Sequence, residues 1–238
     1  MSLIFKQLFE RESCTYTYLI ADSETKEAAI VDAVDIMIDR DTALLKELDL
    51  DLKFIIETHI HADHITSACP LKKYYPKARI VIGMENVDAE ACSDIMVSEG
   101  HILNIGQYQI TTIETPGHTV GCMSYLVENK LLTGDALFIR STGRCDFQGG
   151  SAESLYESIQ KLFKLPDTTE VYPAHDYNGL SVSTIGEEKK FNSMIRESFD
   201  QETFIENVNS LDLGLPKKIK VAVPANQSCG LISGNASV

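Results

Sequence analysis

The chain has 238 residues, 44% of them hydrophobic and 24% charged, and its 35 acidic side chains against 21 basic ones leave a net charge of −14. That length suits one large domain or two small ones, and the balance is ordinary for a folded protein. An acidic excess argues against a nucleic-acid partner, since phosphate backbones need clustered Lys and Arg, and no apolar run approaches the roughly 20 residues that span a bilayer.

The first third alternates short β-like runs with turns. Ile4–Phe9, Thr15–Ile20 and Ala28–Asp32 are rich in β-branched or aromatic residues, and the polar segment from Asp22 to Lys26 reads as a hairpin loop. Asp41–Leu50 turns helical, with Leu44, Leu45 and Leu48 on one stripe. Phe54–Thr58 is a short, mostly apolar strand, and helical character resumes from about Asp63 to Tyr75, stopping at Pro76. Further on, Tyr108–Glu114 alternates as a strand. Met123–Val127 and Lys130–Thr133 form a hairpin. A helix capped by Ser151 carries Leu155, Ile159, Leu162 and Phe163 on one face and is closed by Pro166. Glu170–Tyr172 is one more strand. No Pro/Gly/Ser-rich linker, low-complexity block or repeat interrupts the chain, so a single domain over 1–238 is expected, of mixed α and β class.

The N-terminus turns charged at Lys6 and resembles neither a secretory signal nor a transit peptide, which makes the cytoplasm the expected location. Cys14, Cys69, Cys92, Cys122, Cys145 and Cys229 are widely spread with no Cys-x-x-Cys pair. In a reducing compartment most of them, at least four of the six, are expected to be buried residues or free thiols.

Five of the six histidines fall in three places. His59, His61, Asp63 and His64 follow the strand that ends at Thr58; His118 follows Pro116-Gly117; His175 follows Pro173-Ala174; and Asp135 follows Gly134. Each stands just past an apolar run. Three imidazoles and a carboxylate within six residues are costly to bury without a cation, so the set reads as a metal site built from strand-end loops. His59 and His61, two apart on extended backbone, can face one site, while Asp63 and His64 are expected at a helix N-terminus. His101 has no such company and reads as an ordinary exposed residue.

The order Thr-His-x-His-x-Asp-His, Gly-His-Thr, Gly-Asp and a late His resembles the metallo-β-lactamase superfamily. Within it, Asp135–Arg140, Gly143–Gln148, Tyr172–Tyr177, Val182–Thr184 and Val223–Asn226 are similar to the persulfide dioxygenase branch. The resemblance implies an αββα sandwich, two mixed sheets packed face to face with helices outside. It implies one Fe(II) per chain on His59, His118 and Asp135, a ligand trio that leaves one face of an octahedron open. It also implies glutathione persulfide and O2 as substrates, with sulfite and glutathione as products. His61, Asp63, His64 and His175 would then surround the ligands, bonding to them or to water. In zinc hydrolases of the superfamily the same four residues complete a two-metal site, so the alternative is a binuclear zinc thioester hydrolase resembling glyoxalase II. That alternative is disfavoured because Ala174-His175-Asp176-Tyr177 departs from the Gly-His-Glu-Tyr usual there. A non-catalytic metal-binding or sulfur-carrying protein is the remaining class.

Substrate-side expectations are Arg144, as a fork for a glutathione carboxylate, as support for the residues around the metal ligands, or as a structural ion pair with Asp146, and Arg140 with the same ambiguity between substrate and structural roles. Tyr177 is expected to donate its hydroxyl to substrate or iron-bound oxygen, or else to pack as a core aromatic, and Cys229 to be either a thiol near the site or a buried bystander. A sulfurtransferase acting in trans and a homodimer are further partners consistent with the resemblance.

Overall fold

The computed structural model describes residues 2–232; the outermost ends of the expected 1–238 domain lie outside them. The chain divides into two compact units. Of the described residues, the first unit holds those up to Val97, Leu103–Gln109 and those from Leu215 onward; the second holds Ser98–Ile102 and Ile110–Gly214.

In the first unit, β1 (Leu3–Glu10) and β2 (Thr15–Asp22) form an antiparallel hairpin, and β3 (Glu27–Val31) pairs antiparallel with β2. From β3 the sheet continues in parallel through β4 (Asp51–Ile56), β5 (Arg79–Gly83) and β6 (Ile95–Val97), giving the order β1-β2-β3-β4-β5-β6. Parallel strands are covered on both faces, and accordingly Ile55, Ile56, Ile80 and Val81 read as unbroken apolar runs and are all buried. Two helices supply crossovers: α1 (Ile38–Glu47), after a short 3-10 turn at Asp35–Met37, and α2 (Ala68–Tyr74). Leu45 of α1 and Leu71 of α2 join Leu19, Ile30, Leu52, Ile55 and Ile80 in one core.

The second sheet has the order β12-β11-β10-β9-β8-β7. Its strands are β7 (Ile102–Ile105), β8 (Tyr108–Glu114), β9 (Met123–Val127), β10 (Lys130–Gly134), β11 (Glu170–Pro173) and β12 (Ser183–Thr184). Helix α3 (Ala152–Leu162) makes the crossover between the parallel pair β10 and β11. The Ser151 hydroxyl caps it by accepting from Ser154 N at 3.1 Å, and Leu155, Ile159 and Leu162 are fully buried, as their spacing predicts. They pack with α5 (Gln201–Asn209) through Phe204 and Val208, and with Ile185 of α4 (Ile185–Phe191). A last helix, α6 (Ile219–Asn226), belongs to the first unit.

Two expectations fail. The helix read from Asp63 begins only at Ala68, so Asp63 and His64 lie on irregular backbone rather than at a helix N-terminus. The cause is tertiary: the carbonyls of His61 and His64 and the N–H of Thr66 are bonded to the Asn226 side chain, not to a helical ladder. The cysteine expectation holds at Cys14, Cys69, Cys122 and Cys145, which form no disulfide, and fails at Cys229 as a thiol near the site. Cys92 and Cys229 form a disulfide across 137 residues of sequence, their Cα atoms 5.9 Å apart, so Cys229 is no free thiol. Sequence spacing carries no trace of a pair brought together only by folding. Among the described residues no helix is long and apolar enough to cross a membrane.

Candidate metal centre

In the first unit, β4 ends at Ile56 and the chain runs on without regular structure through Glu57, Thr58, His59, His61, Asp63 and His64. Asp32, just past the end of β3, fixes the start of this stretch: its carboxylate accepts from Thr58 N at 2.8 Å and from the Thr58 hydroxyl at 2.9 Å. A hydroxyl has one proton. With that proton directed at Asp32, Thr58 Oγ1 accepts from His59 Nδ1, 2.9 Å away. His59 therefore holds its proton on Nδ1 and keeps the Nε2 lone pair for a metal.

His61, fully buried, places Nε2 3.2 Å from Asp32 Oδ1 and 3.7 Å from Glu57 Oε2. Burial, reinforced by the neighbouring Asp32 carboxylate, pushes Glu57 well above the usual carboxylate range, against the opposing hydrogen bond from the Thr66 hydroxyl. His64 Nδ1 lies 3.1 Å from Asp63 Oδ2 and 3.3 Å from Thr15 Oγ1. One ligand atom each from His61, Asp63 and His64 lie within 4.8 Å of one another.

In the second unit, β8 and β10 both run antiparallel to β9, and β11 runs parallel to β10, so the C-terminal ends of β8, β10 and β11 share one sheet edge. His118, Asp135 and His175 follow those three ends, and all three are buried. His118 Nδ1 is 2.6 Å from the Arg144 carbonyl, which can only accept, so this ring too is protonated on Nδ1 with its Nε2 lone pair free of that proton. Nε2 faces Asp135 Oδ2 at 3.5 Å, while Asp135 Oδ1 faces His175 Nε2 at 3.6 Å. Both separations exceed a good hydrogen bond and suit donors that share an ion. A carboxylate placed this way can serve one ion on the His118 side or bridge two. Gly143 makes the backbone of Asp135 approachable: its N–H donates to Asp135 O at 3.0 Å, and a Cβ there would stand 2.1 Å from that oxygen.

The expected substrate residues are placed differently from one another. Arg144 pairs through Nε and Nη2 with Asp146 at 2.6 and 2.5 Å, and donates to the carbonyls of Gly214 and Leu213 at 2.7 and 3.0 Å, so its guanidinium ties two loops of the second unit together. Of its expected roles, the structure displays the ion pair with Asp146. Arg140 is engaged with Ser183, Glu187 and Glu188 around the start of α4. Tyr177 is 66% exposed and stacks on the His175 ring, centroids 6.2 Å apart and planes 7° from parallel, rather than packing in a core. Cys229 is in the disulfide, and His101 is exposed. Asp32 and Glu57 have no site role in the sequence analysis, and Asn226 enters it only as the end of the Val223–Asn226 motif, with no contact assigned. Asp32 obeys the same rule as the candidate ligands, an acidic residue directly after an apolar strand.

The metallo-beta-lactamase superfamily pattern matches residues 15–96 and 97–175. Persulfide dioxygenase ETHE1, mitochondrial, of Mus musculus is 42% identical over 96% of this chain and 89% of that protein, and its Homo sapiens counterpart is 40% identical over the same shares. The crystal structure of ETHE1 from Myxococcus xanthus matches with a TM-score of 0.91 at 44% identity, covering 96% of this chain and all of that one. The chain belongs to the metallo-β-lactamase superfamily, in the family of the persulfide dioxygenases. Glyoxylase B2 of Dictyostelium discoideum is 34% identical over 93% of this chain and 89% of that protein. The family has two mixed sheets with helices, as here, and the superfamily fold together with the buried His and Asp donors marks a metal-binding protein.

Proposed function

We propose that this chain is a persulfide dioxygenase that converts glutathione persulfide, O2 and water into glutathione and sulfite, with one Fe(II) held by His59, His118 and Asp135. It acts as a single domain. The observation that carries the reading is a paired orientation: Thr58 and the Arg144 carbonyl each take the Nδ1–H of a histidine and leave Nε2 as the ring nitrogen that can turn to a cation. The 40–44% identity to persulfide dioxygenases over nearly the whole chain supports the choice of reaction.

Iron(II), once bound, supplies the redox change that O2 chemistry needs and that zinc lacks. The protein's part is positioning. Two imidazoles and one carboxylate leave ligand positions for small molecules, and the carboxylate offsets part of the cation's charge. His61, Asp63, His64 and His175 sustain the polar surround of the ligands. Tyr177, exposed beside His175, is the group best placed to meet substrate through its hydroxyl. Arg144 contributes twice, its carbonyl orienting His118 and its guanidinium holding the 213–214 segment, so we assign it to positioning ahead of carboxylate binding. The engagements of Arg140 and Cys229 give a substrate role no support. We place the protein in the cytoplasm, supplied with persulfide by a sulfurtransferase in trans, and a homodimer fits the family.

A second reading is kept by one observation: Asp135 faces both His118 and His175, as a bridging carboxylate between two zinc ions would. Metal analysis with O2 uptake on adding glutathione persulfide separates them. One iron per chain with uptake supports the proposal. Two zinc ions with hydrolysis of lactoylglutathione supports the hydrolase, and bound metal with neither turnover identifies a binding protein. Asp135→Ala should lose iron and O2 uptake together, and turnover retained in that variant would overturn the assignment.

A further inference from the structure

We infer that Asn226 is a positioning residue for the histidine segment of the metal centre, and that the C-terminal stretch it begins, anchored by the Cys92–Cys229 disulfide, holds that segment in place. The inference rests on the reading of His59 as a metal ligand.

Residues 57–67 make no helix and only an isolated bridge at Thr66, so their backbone groups draw on individual partners rather than on a regular ladder. Asn226, the last residue of α6 and 4% exposed, supplies partners for three of them. Its Nδ2 donates to the carbonyl of His61 at 2.9 Å and to that of His64 at 2.8 Å, and its Oδ1 accepts from Thr66 N at 2.9 Å. Two donors and an acceptor on one short planar group are what this site uses, which an aspartate or a hydroxyl cannot provide. The carbonyls so gripped flank the stretch from His61 to His64, two residues beyond His59.

The residues after Asn226 fasten the grip. Cys229 N donates back to Asn226 O at 3.0 Å, and Cys69 N, in α2, donates to Cys229 O at 2.9 Å. A Cβ at Gly230 would lie 2.0 Å from Thr66 O, so the two segments pass at backbone contact. The disulfide to Cys92 then fixes Cys229 covalently. Backbone held from both sides over so few residues sets the direction of the imidazoles it carries, and metal sites lose affinity when such supporting contacts loosen.

The test uses the full-length chain stripped of metal and titrated with Co(II), whose visible absorption reports ligand geometry. The wild type should bind. Asn226→Asp keeps the size but sets a carboxylate against two carbonyls; it should fold by circular dichroism, weaken Co(II) binding by about ten- to a hundred-fold and alter the spectrum. A folded Asn226→Asp with wild-type affinity and spectrum overturns the inference, even if its melting temperature falls. Should that variant not fold, Cys92→Ser decides: weaker Co(II) binding with a changed spectrum supports the anchored segment, and no change overturns it. A wild type that takes up no Co(II) brings down the metal-centre reading and this inference with it, whereas binding by wild type and variant alike brings down only the inference.

Discussion

Thr58 controls its histidine neighbour through a single proton. Because its hydroxyl hydrogen goes to Asp32, the oxygen must accept from His59, and the ring is left in the one neutral tautomer that offers Nε2. Thr58→Val keeps the shape and removes both roles; Thr58→Ser keeps them. Metal affinity, read by competition with a chelator, should fall by about ten- to a hundred-fold in the valine variant and stay near wild type in the serine variant. Equal affinities would mean that the tautomer is set elsewhere. Arg144 carries a related lesson. Its residue type and position suggested substrate, and both the ion pair with Asp146 and the carbonyl that holds His118 emerge only when the loop is seen folded.

Among the elements, α3 is the one whose sequence states its structure most openly. A serine cap, a stripe at i, i+4 and i+7 and a closing proline all act within the sixteen residues from Ser151 to Pro166. Leu155→Ala should cost about 2–5 kcal/mol by urea denaturation, since Leu155 is fully buried in the second unit's core, and Ser151→Ala about 1 kcal/mol through the lost cap. Gly117 adds a constraint on the same helix. At φ 137° it passes so near that a Cβ would stand 2.3 Å from Leu155 N, so the glycine before His118 is demanded by packing as well as by the turn. The turn between β7 and β8 depends instead on carboxylates. Asp22 accepts from Gln107 N at 3.0 Å and from Glu24 N at 2.9 Å, and Glu27 accepts from Lys53 at 2.9 Å and from Gly106 N at 2.6 Å; these bonds hold both acids below their usual range. A lowered acid stabilises the fold above its ordinary range and stops doing so as pH falls through the lowered value. The double variant Asp22→Asn, Glu27→Gln should therefore show a flatter acid limb in melting temperature against pH, with the difference from wild type vanishing in strong acid.

Over the whole molecule, a metal bound only by the folded state adds stability by mass action. Free metal at about a hundred times its Kd contributes about 2.7 kcal/mol. Stripping the metal with a chelator should thus lower the melting temperature by several degrees, and restoring it should recover the loss; identical melts with and without metal would argue that the donors hold no ion. Eight of the twelve strands among the described residues, the helices near Asp41 and Ser151 and the His and Asp residues past strand ends were legible in the chain because each depends on residues a few positions apart, whereas β5, β6, β7 and β12 were not read from it. The helix start was misread at Asp63 because propensity competes there with a partner 160 residues away in sequence.

The amino-acid sequence alone determined the family, the mixed α/β class and the seven His and Asp side chains available as donors. Those are written in residue type and short spacing, which folding does not change. Tertiary structure alone decided which nitrogen of His59 and His118 carries the proton, where both arginines are engaged, that Cys92 joins Cys229, and that Asn226 grips the His61–His64 backbone. Each of these depends on atoms brought to within a few ångströms by collective burial, and no local pattern records an approach that only the packed chain enforces.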